Sequence, residues 1–189
     1  MLPVHLSKVI PIEFCQFFTH VLLRQIELGK TNGDTQVPTA QAVIEHEIMF
    51  ETLQERLWPM IEKIVGQELL PTYSYARLYT NGDILEKHTD RPACEISVTL
   101  QLGRSHHYAW PIYMGGERFD LAEGDAIIYP GCDVEHWRNT CDGPTGYYSG
   151  QVFMHFVSKN GPYAAEAGDS SKREIPSYIR GRTLLMETK

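Results

Sequence analysis

The sequence predicts a mainly β domain, a barrel or a sandwich, supported by helices that come first in the chain. Two observations predict it. From Thr72 to Val157, short runs rich in Tyr, Val, Ile and Thr are separated by turn residues at Asn81-Gly82, Gly103, Gly115-Gly116, Gly124-Asp125, Pro130-Gly131 and Gly143-Pro144. Many short strands with regular turns make a closed or two-layered β architecture. The first third instead repeats apolar residues every three or four positions, the helical period. At 189 residues the chain is long enough for one domain with a real core and too short for two. The expected organisation is helical support over residues 1–70, a barrel core over 71–160 and a C-terminal tail over 161–189.

Taking the elements in order, Pro11 suits a first helical position, and Phe14, Phe17, Phe18, Val21, Leu22 and Ile26 trace one face of a helix that Gly29 stops. A polar loop with Asn32, Gly33 and Asp34 follows. Ile44, Ile48, Leu53, Leu57, Met60, Ile61 and Ile64 trace a second helical face ending at Gly66, with Pro59 expected to kink or divide it. The strands then run to Val157. Beyond Lys159 the chain is polar and weakly patterned, and no structure is assigned to it.

Composition bounds the partners. With 24 acidic and 17 basic residues the net charge is −7, which argues against nucleic acid or an anionic membrane as the main partner and favours a small molecule or a peptide. Cys15, Cys94, Cys132 and Cys141 form no CxxC pair, and no basic, apolar leader precedes them, so the expectation is a reducing, cytoplasmic setting without a disulfide framework. No apolar run approaches the ~20 residues of a membrane span. Oligomeric state leaves no mark on the sequence.

The chemistry concentrates in "EKHTDRPACE", Glu86 to Glu95. On a strand, residues two apart share a face, so His88 and Asp90 set an imidazole beside a carboxylate. A third ligand has to come from a distant strand, and the best placed is His136 in "GDAIIYPGCDVEHWRN", where a buried strand, a Pro130-Gly131 turn and a returning strand follow one another. Two His and one carboxylate with an open opposite face suit a non-haem Fe(II) centre that binds a co-substrate and dioxygen together. His155, alternating with Phe153 and Val157, reads as a core histidine, not as a ligand, and Tyr73, Tyr75 and Trp110 read as core.

"YARLYTNGDILEKHTDRPACEISVTLQL" followed by "GDAIIYPGCDVEHWR" resembles the catalytic core of the 2-oxoglutarate and Fe(II)-dependent oxygenases, and most of all the short prolyl 4-hydroxylase-like members. The resemblance covers residues 70 to 160. It implies a double-stranded β-helix, the jelly-roll barrel of cupin-like proteins, buttressed by the N-terminal helices. It also implies Fe(II), 2-oxoglutarate and O2, with ascorbate as an accessory reductant, and hydroxylation of an unactivated C–H bond with release of succinate and CO2. The substrate would be a prolyl residue of a peptide, a free amino acid or another small molecule. By position, His88, Asp90 and His136 match the family's metal ligands, and Tyr79 matches a tyrosine that reaches the co-substrate.

One element of the pattern is missing. Such enzymes carry a Lys or Arg roughly ten residues after the distal histidine to pair with the distal carboxylate of 2-oxoglutarate, and here the stretch "CDGPTGYYSGQVF" has no base. Arg77 shares a strand face with Tyr79, and Arg138 shares one with His136. The expectation is that Arg77 takes the distal carboxylate and that Arg138 stands near metal or substrate, with Ser149 and Gln151 as supporting donors and Thr99 on a polar stripe with Ser97 and Gln101. The competing reading is a cupin. His88 and Asp90 followed by Glu95, and Gly124 through His136 to Asn139, come close to the two cupin motifs, which would make Glu95 a fourth ligand and 2-oxoglutarate unnecessary.

Overall fold

Two antiparallel sheets, one of six strands and one of four, face each other across the site in the computed structural model, which describes residues 1–31, 34, 36–40, 42–45 and 47–168. The six-stranded sheet contains β1 (Val4–Leu6), β2 (Ala42–Glu45), β3 (Leu69–Thr80), β5 (Ile96–Arg104), β8 (Ala126–Tyr129) and β10 (Tyr148–Ser158) in the order β1-β8-β5-β10-β3-β2. The four-stranded sheet contains β4 (Leu85–His88), β6 (Ile112–Met114), β7 (Glu117–Phe119) and β9 (His136–Arg138) in the order β4-β9-β6-β7. Two helices, α1 (Ile12–Glu27) and α2 (Ile48–Val65), pack against the larger sheet on β5 and β3.

The larger sheet has two distinct faces, because side chains alternate along each strand. Ala76 and Leu78 of β3, Val98, Leu100 and Leu102 of β5, Ala126 and Ile128 of β8, and Val152, Met154 and Phe156 of β10 form one buried cluster with Phe18 and Leu22 of α1 and Phe50 and Ile61 of α2. The residues between them point the other way. Tyr75, Arg77, Ser97, Thr99, Gln101, Tyr129, Gln151, Phe153 and His155 sit on the inner face, and most are fully buried although many are polar.

Local chemistry fixes the helix ends. Glu47 accepts a hydrogen bond from the Met49 N–H at the start of α2, and Gly66 ends that helix with a left-handed φ of 80°. At Thr19, α1 touches β5 closely: its hydroxyl donates to the Cys15 carbonyl and accepts from the Gly103 N–H at 2.8 Å. A Cβ at position 103 would lie 2.6 Å from that hydroxyl, so only glycine admits the helix this near.

The structure departs from the sequence expectations at several points. The N-terminal support, read as two helices joined by a polar loop, also contributes two short strands, β1 paired with β8 and β2 paired with β3, and Ile44 lies on β2, not on a helix. Strands of three and four residues paired far along the chain carry no local period for a sequence reading to detect. Phe14 and Phe17 of α1 are more than half exposed, so the apolar stripe is wider than the buried face. Pro59 neither divides nor ends α2, because Phe50, Leu53 and Ile61 pack on both sides of it and hold the helix through the missing N–H. Gln54 adds an anchor, donating from Nε2 to the His155 carbonyl at 2.8 Å. Asn32 and Gly33 of the expected loop, and the tail from residue 169, lie outside the described residues. Among those described, all four cysteines are free and no helix is long and apolar enough to cross a membrane.

Thr19→Val keeps the shape but leaves the Gly103 N–H buried without an acceptor, so it should lower stability by about 1–3 kcal/mol in urea denaturation. Thr19→Ser should retain most of the wild-type value.

Candidate metal centre

His88 ends β4 and His136 begins β9, and the two are direct partners across this antiparallel pair. Their register is set by an irregularity: Leu85 pairs with Arg138 and His88 with His136, so three steps along β4 match two along β9. A bulge of this kind re-aims a side chain, here bringing His88 to the same face as His136, with ring centroids 4.2 Å apart. Asp90 follows two residues after His88, beyond the end of β4. Its N–H donates to the Gly131 carbonyl at 2.8 Å, which ties it to the loop that precedes β9.

The three side chains converge. His88 Nε2 lies 3.7 Å and His136 Nε2 3.5 Å from Asp90 Oδ1, and one donor atom from each residue fits within 4.8 Å of the others. Both imidazoles are oriented by backbone carbonyls: Nδ1 of His88 lies 2.8 Å from the Glu86 oxygen, and Nδ1 of His136 lies 2.9 Å from the Val134 oxygen. A carbonyl only accepts, so each Nδ1 carries the proton and, in the neutral ring, each Nε2 turns a lone pair toward Asp90. Burial, and then His136 alongside, pushes the His88 pKa below its ordinary value and so favours that neutral form. Burial raises the Asp90 pKa, but its polar surroundings, His136, His155 and the Ser97 hydroxyl, outweigh it and bring it below its ordinary value. Two lone pairs aimed at a carboxylate oxygen repel unless a cation stands between them. The donor set therefore fits one divalent ion of the kind that imidazole and carboxylate ligands prefer.

Residues around the ligands hold them in place. The Ser97 hydroxyl donates to Asp90 Oδ2 at 2.8 Å, leaving Oδ1 for the metal side, and lies 2.9 Å from His155 Nδ1. Since Ser97 gives its proton to the carboxylate, His155 donates to Ser97. His155 is buried as expected, but it lines the cavity next to Asp90 and does more than fill core. Tyr75 also lines the cavity, stacked on Phe153 at 4.7 Å, so its reading as core needs the same correction. Gly131 lies directly under Asp90: a Cβ there would collide with Asp90 Oδ2 and the Cys94 carbonyl and lie 2.6 Å from Ser97 Oγ. The sequence showed Gly131 only as a turn residue. Ser97 was visible on the polar stripe, but its contact with Asp90, like that of Gly131, comes from the packing that brings them together.

The other expected residues fall in two groups. Arg77 lines the cavity, 2 % exposed, with Gln36, Leu85, Ile112, Tyr129 and Phe153. It is already engaged: Nε is ion-paired with Asp34, Nη1 donates to the Tyr79 hydroxyl at 2.7 Å and Nη2 to Gln36 Oε1 at 3.1 Å. Arg138, also 2 % exposed, lies over the Trp110 ring at 4.8 Å and donates from Nη1 to the Trp110 carbonyl. Thr99 shares a hydrogen bond with the Tyr129 hydroxyl at 3.3 Å, and Gln151 donates to Gln101 Oε1 at 3.0 Å, while Gln101 in turn donates to Ser149.

Glu95 stands apart from the centre, where its Oε2 accepts from the Ser158 N–H at 2.8 Å. Asp90, Cys94 and His155 make a second grouping of ligand-type atoms, but burial and then Asp90 push the Cys94 thiol up to about 12, so it stays protonated.

Neither a family model nor a curated protein sequence matches the chain. Solved structures do. A prolyl 4-hydroxylase from Pseudomonas putida superposes with a TM-score of 0.64 at 12 % identity, over 82 % of this chain and 92 % of that one. The fold is that of the 2-oxoglutarate and Fe(II)-dependent oxygenases. This double-stranded β-helix also matches a viral collagen prolyl hydroxylase from Paramecium bursaria Chlorella virus-1 in complex with 2-oxoglutarate, at a TM-score of 0.61 and 8 % identity over 82 % of this chain and 96 % of that one. HygX from Streptomyces hygroscopicus, with nickel and 2-oxoglutarate bound, matches at 0.63 and 11 % identity, over 84 % of this chain and 83 % of that one.

Gly131→Ala should weaken Ni(II) or Fe(II) binding by about 10–100-fold in calorimetric titration while the folded far-UV spectrum is kept, because it displaces Asp90 without removing a ligand. Glu95→Ala separates the cupin-like alternative: metal affinity should stay at the wild-type value, and stability should fall by about 1–2 kcal/mol as the Ser158 N–H loses its acceptor.

Proposed function

We propose that this chain is a 2-oxoglutarate-dependent non-haem Fe(II) dioxygenase that hydroxylates an unactivated C–H bond of a prolyl peptide, an amino acid or another small molecule. The observation that carries this reading is the convergence of His88 Nε2, His136 Nε2 and Asp90 Oδ1, with both Nδ1 atoms engaged by backbone carbonyls. Fe(II) held there, with 2-oxoglutarate and O2, would supply the oxidation, giving succinate and CO2 as the C–H bond is hydroxylated.

The chain's own residues do the rest. His88 and His136 keep their protons on Nδ1 and their lone pairs on the metal side, while Ser97 holds Asp90 so that only one carboxylate oxygen faces them. His88 is 23 % exposed at the side chain and Asp90 11 %, against 3 % for His136, so a substrate would reach a metal held there from the His88 side. Tyr75, Leu85, Ile112 and Phe153 wall the inner cavity and exclude water from the reacting groups. A dicarboxylic co-substrate needs a cation at its far end, and among the described residues Arg77 and Arg138, with Tyr79 beside both, are the two buried candidates.

Replacing His88, Asp90 or His136 by Ala should abolish succinate formation from 2-oxoglutarate in an Fe(II) assay, while thermal unfolding stays cooperative, since none of the three belongs to the apolar core. Turnover retained by His136→Ala would overturn the ligand assignment. Absence of 2-oxoglutarate-dependent oxygen uptake by the wild type across peptide and amino-acid substrates would count against the class.

A further inference from the structure

The two buried arginines are not equivalent. Arg77 is compensated: Asp34 neutralises it and Tyr79 and Gln36 take its other N–H groups. Asp34 is held in that position by its own loop, since its Oδ1 accepts from Gln36 N at 2.7 Å and Val37 N at 3.2 Å. Arg138 has no such partner. Its Nε and Nη2 are fully buried and without a hydrogen-bond acceptor among the described residues, and its contacts are a single carbonyl and the faces of Trp110 and Tyr79. An uncompensated buried guanidinium is among the most costly groups a fold retains, and a ring face satisfies it only in part. Such a group is kept where an anion completes it.

The position is right for one. Arg138 lies two residues beyond His136 on the same face of β9, and its cross-strand partner Leu85 lines the cavity. Tyr79, whose ring centroid lies 5.8 Å from the Arg138 guanidinium, is the cross-strand partner of Ser149, and Ser149, Gln101 and Gln151 form a buried hydrogen-bonded polar network, whereas Tyr75, Leu85, Ile112 and Phe153 wall the cavity around His88 and His136.

We infer that Arg138, and not Arg77, is the anchor for the distal carboxylate of the dicarboxylic 2-oxo acid, and that Arg77 is reserved by Asp34 to hold Asp34 and Gln36 against the cavity. This rests on the oxygenase reading above and reverses the roles expected from the sequence. The two N–H groups left on Arg138, Nε and one Nη, form the fork that a carboxylate accepts bidentately. Arg77, with an internal carboxylate in place, offers a second one only competition.

The test uses the full chain loaded with Ni(II) under argon, titrated calorimetrically with 2-oxoglutarate and with 2-oxobutanoate, which lacks the distal carboxylate. Wild type should bind 2-oxoglutarate far more tightly. Arg138→Gln should lose about a hundredfold for 2-oxoglutarate and little for 2-oxobutanoate, with Ni(II) affinity unchanged. Arg138→Lys, which keeps a charge there, should preserve part of the discrimination. Asp34→Asn releases Arg77 without touching Arg138 and should leave 2-oxoglutarate affinity within about twofold; this arm decides the matter even where Arg138→Gln does not fold. Wild-type 2-oxoglutarate affinity in Arg138→Gln overturns the inference, and so does a tenfold gain in Asp34→Asn, which would put the carboxylate on Arg77. Wild type that binds Ni(II) but neither oxo acid removes the oxygenase reading itself, and the inference with it.

Discussion

Two imidazoles placed opposite each other across a pair of short strands, with ring centroids 4.2 Å apart and lone pairs turned toward the same carboxylate, stabilise nothing by themselves. They are nevertheless held with care. Backbone carbonyls fix both rings, a bulge in β4 aligns them, and Ser97 and Gly131 confine the carboxylate. The larger sheet carries the stability that this arrangement does not. Its outer face packs the helices into an apolar core, and its inner face is left free to be polar. The division works because strand side chains alternate: the same strands, β3, β5 and β10, carry packing on one register and the cavity on the other.

This explains what was legible in the sequence. His88, Asp90 and His136 are close neighbours of unmistakable turn residues, and their spacing is a property of strands, so a linear reading reaches them. The polar stripe Ser97, Thr99 and Gln101 follows from the same alternation. The structure places all three on the inner face, where Ser97 supports Asp90 and Gln101 joins a buried network. What escaped detection depends on contacts between distant segments. Strands β1 and β2 exist because β8 and β3 offer edges to pair with, and the exposed Phe14 and Phe17 share the period of the buried residues of α1 without sharing their contacts.

The arginines show the same limit. Both lie on the expected strand faces, so their burial was foreseeable, but which of them is neutralised depends on Asp34, a residue of a loop that precedes Arg77 by more than forty positions. Burial would lower the Arg77 pKa, yet Tyr79, Tyr75 and Asp34 raise it above its ordinary value, whereas burial wins at Arg138 and lowers it. Charge identity is written in the sequence; charge compensation is written in the fold.

The smaller sheet adds a consequence of its own. Its strands are three or four residues long, while β10 runs for eleven and is bordered by β3 and β5. The two candidate metal-binding histidines, His88 and His136, therefore belong to the sheet built of these short strands. A cation bridging β4 and β9 would act as a staple across that seam, and by mass action its occupancy would set how often the seam opens. Metal loading and the breathing of the cavity mouth would then be one equilibrium seen from two sides.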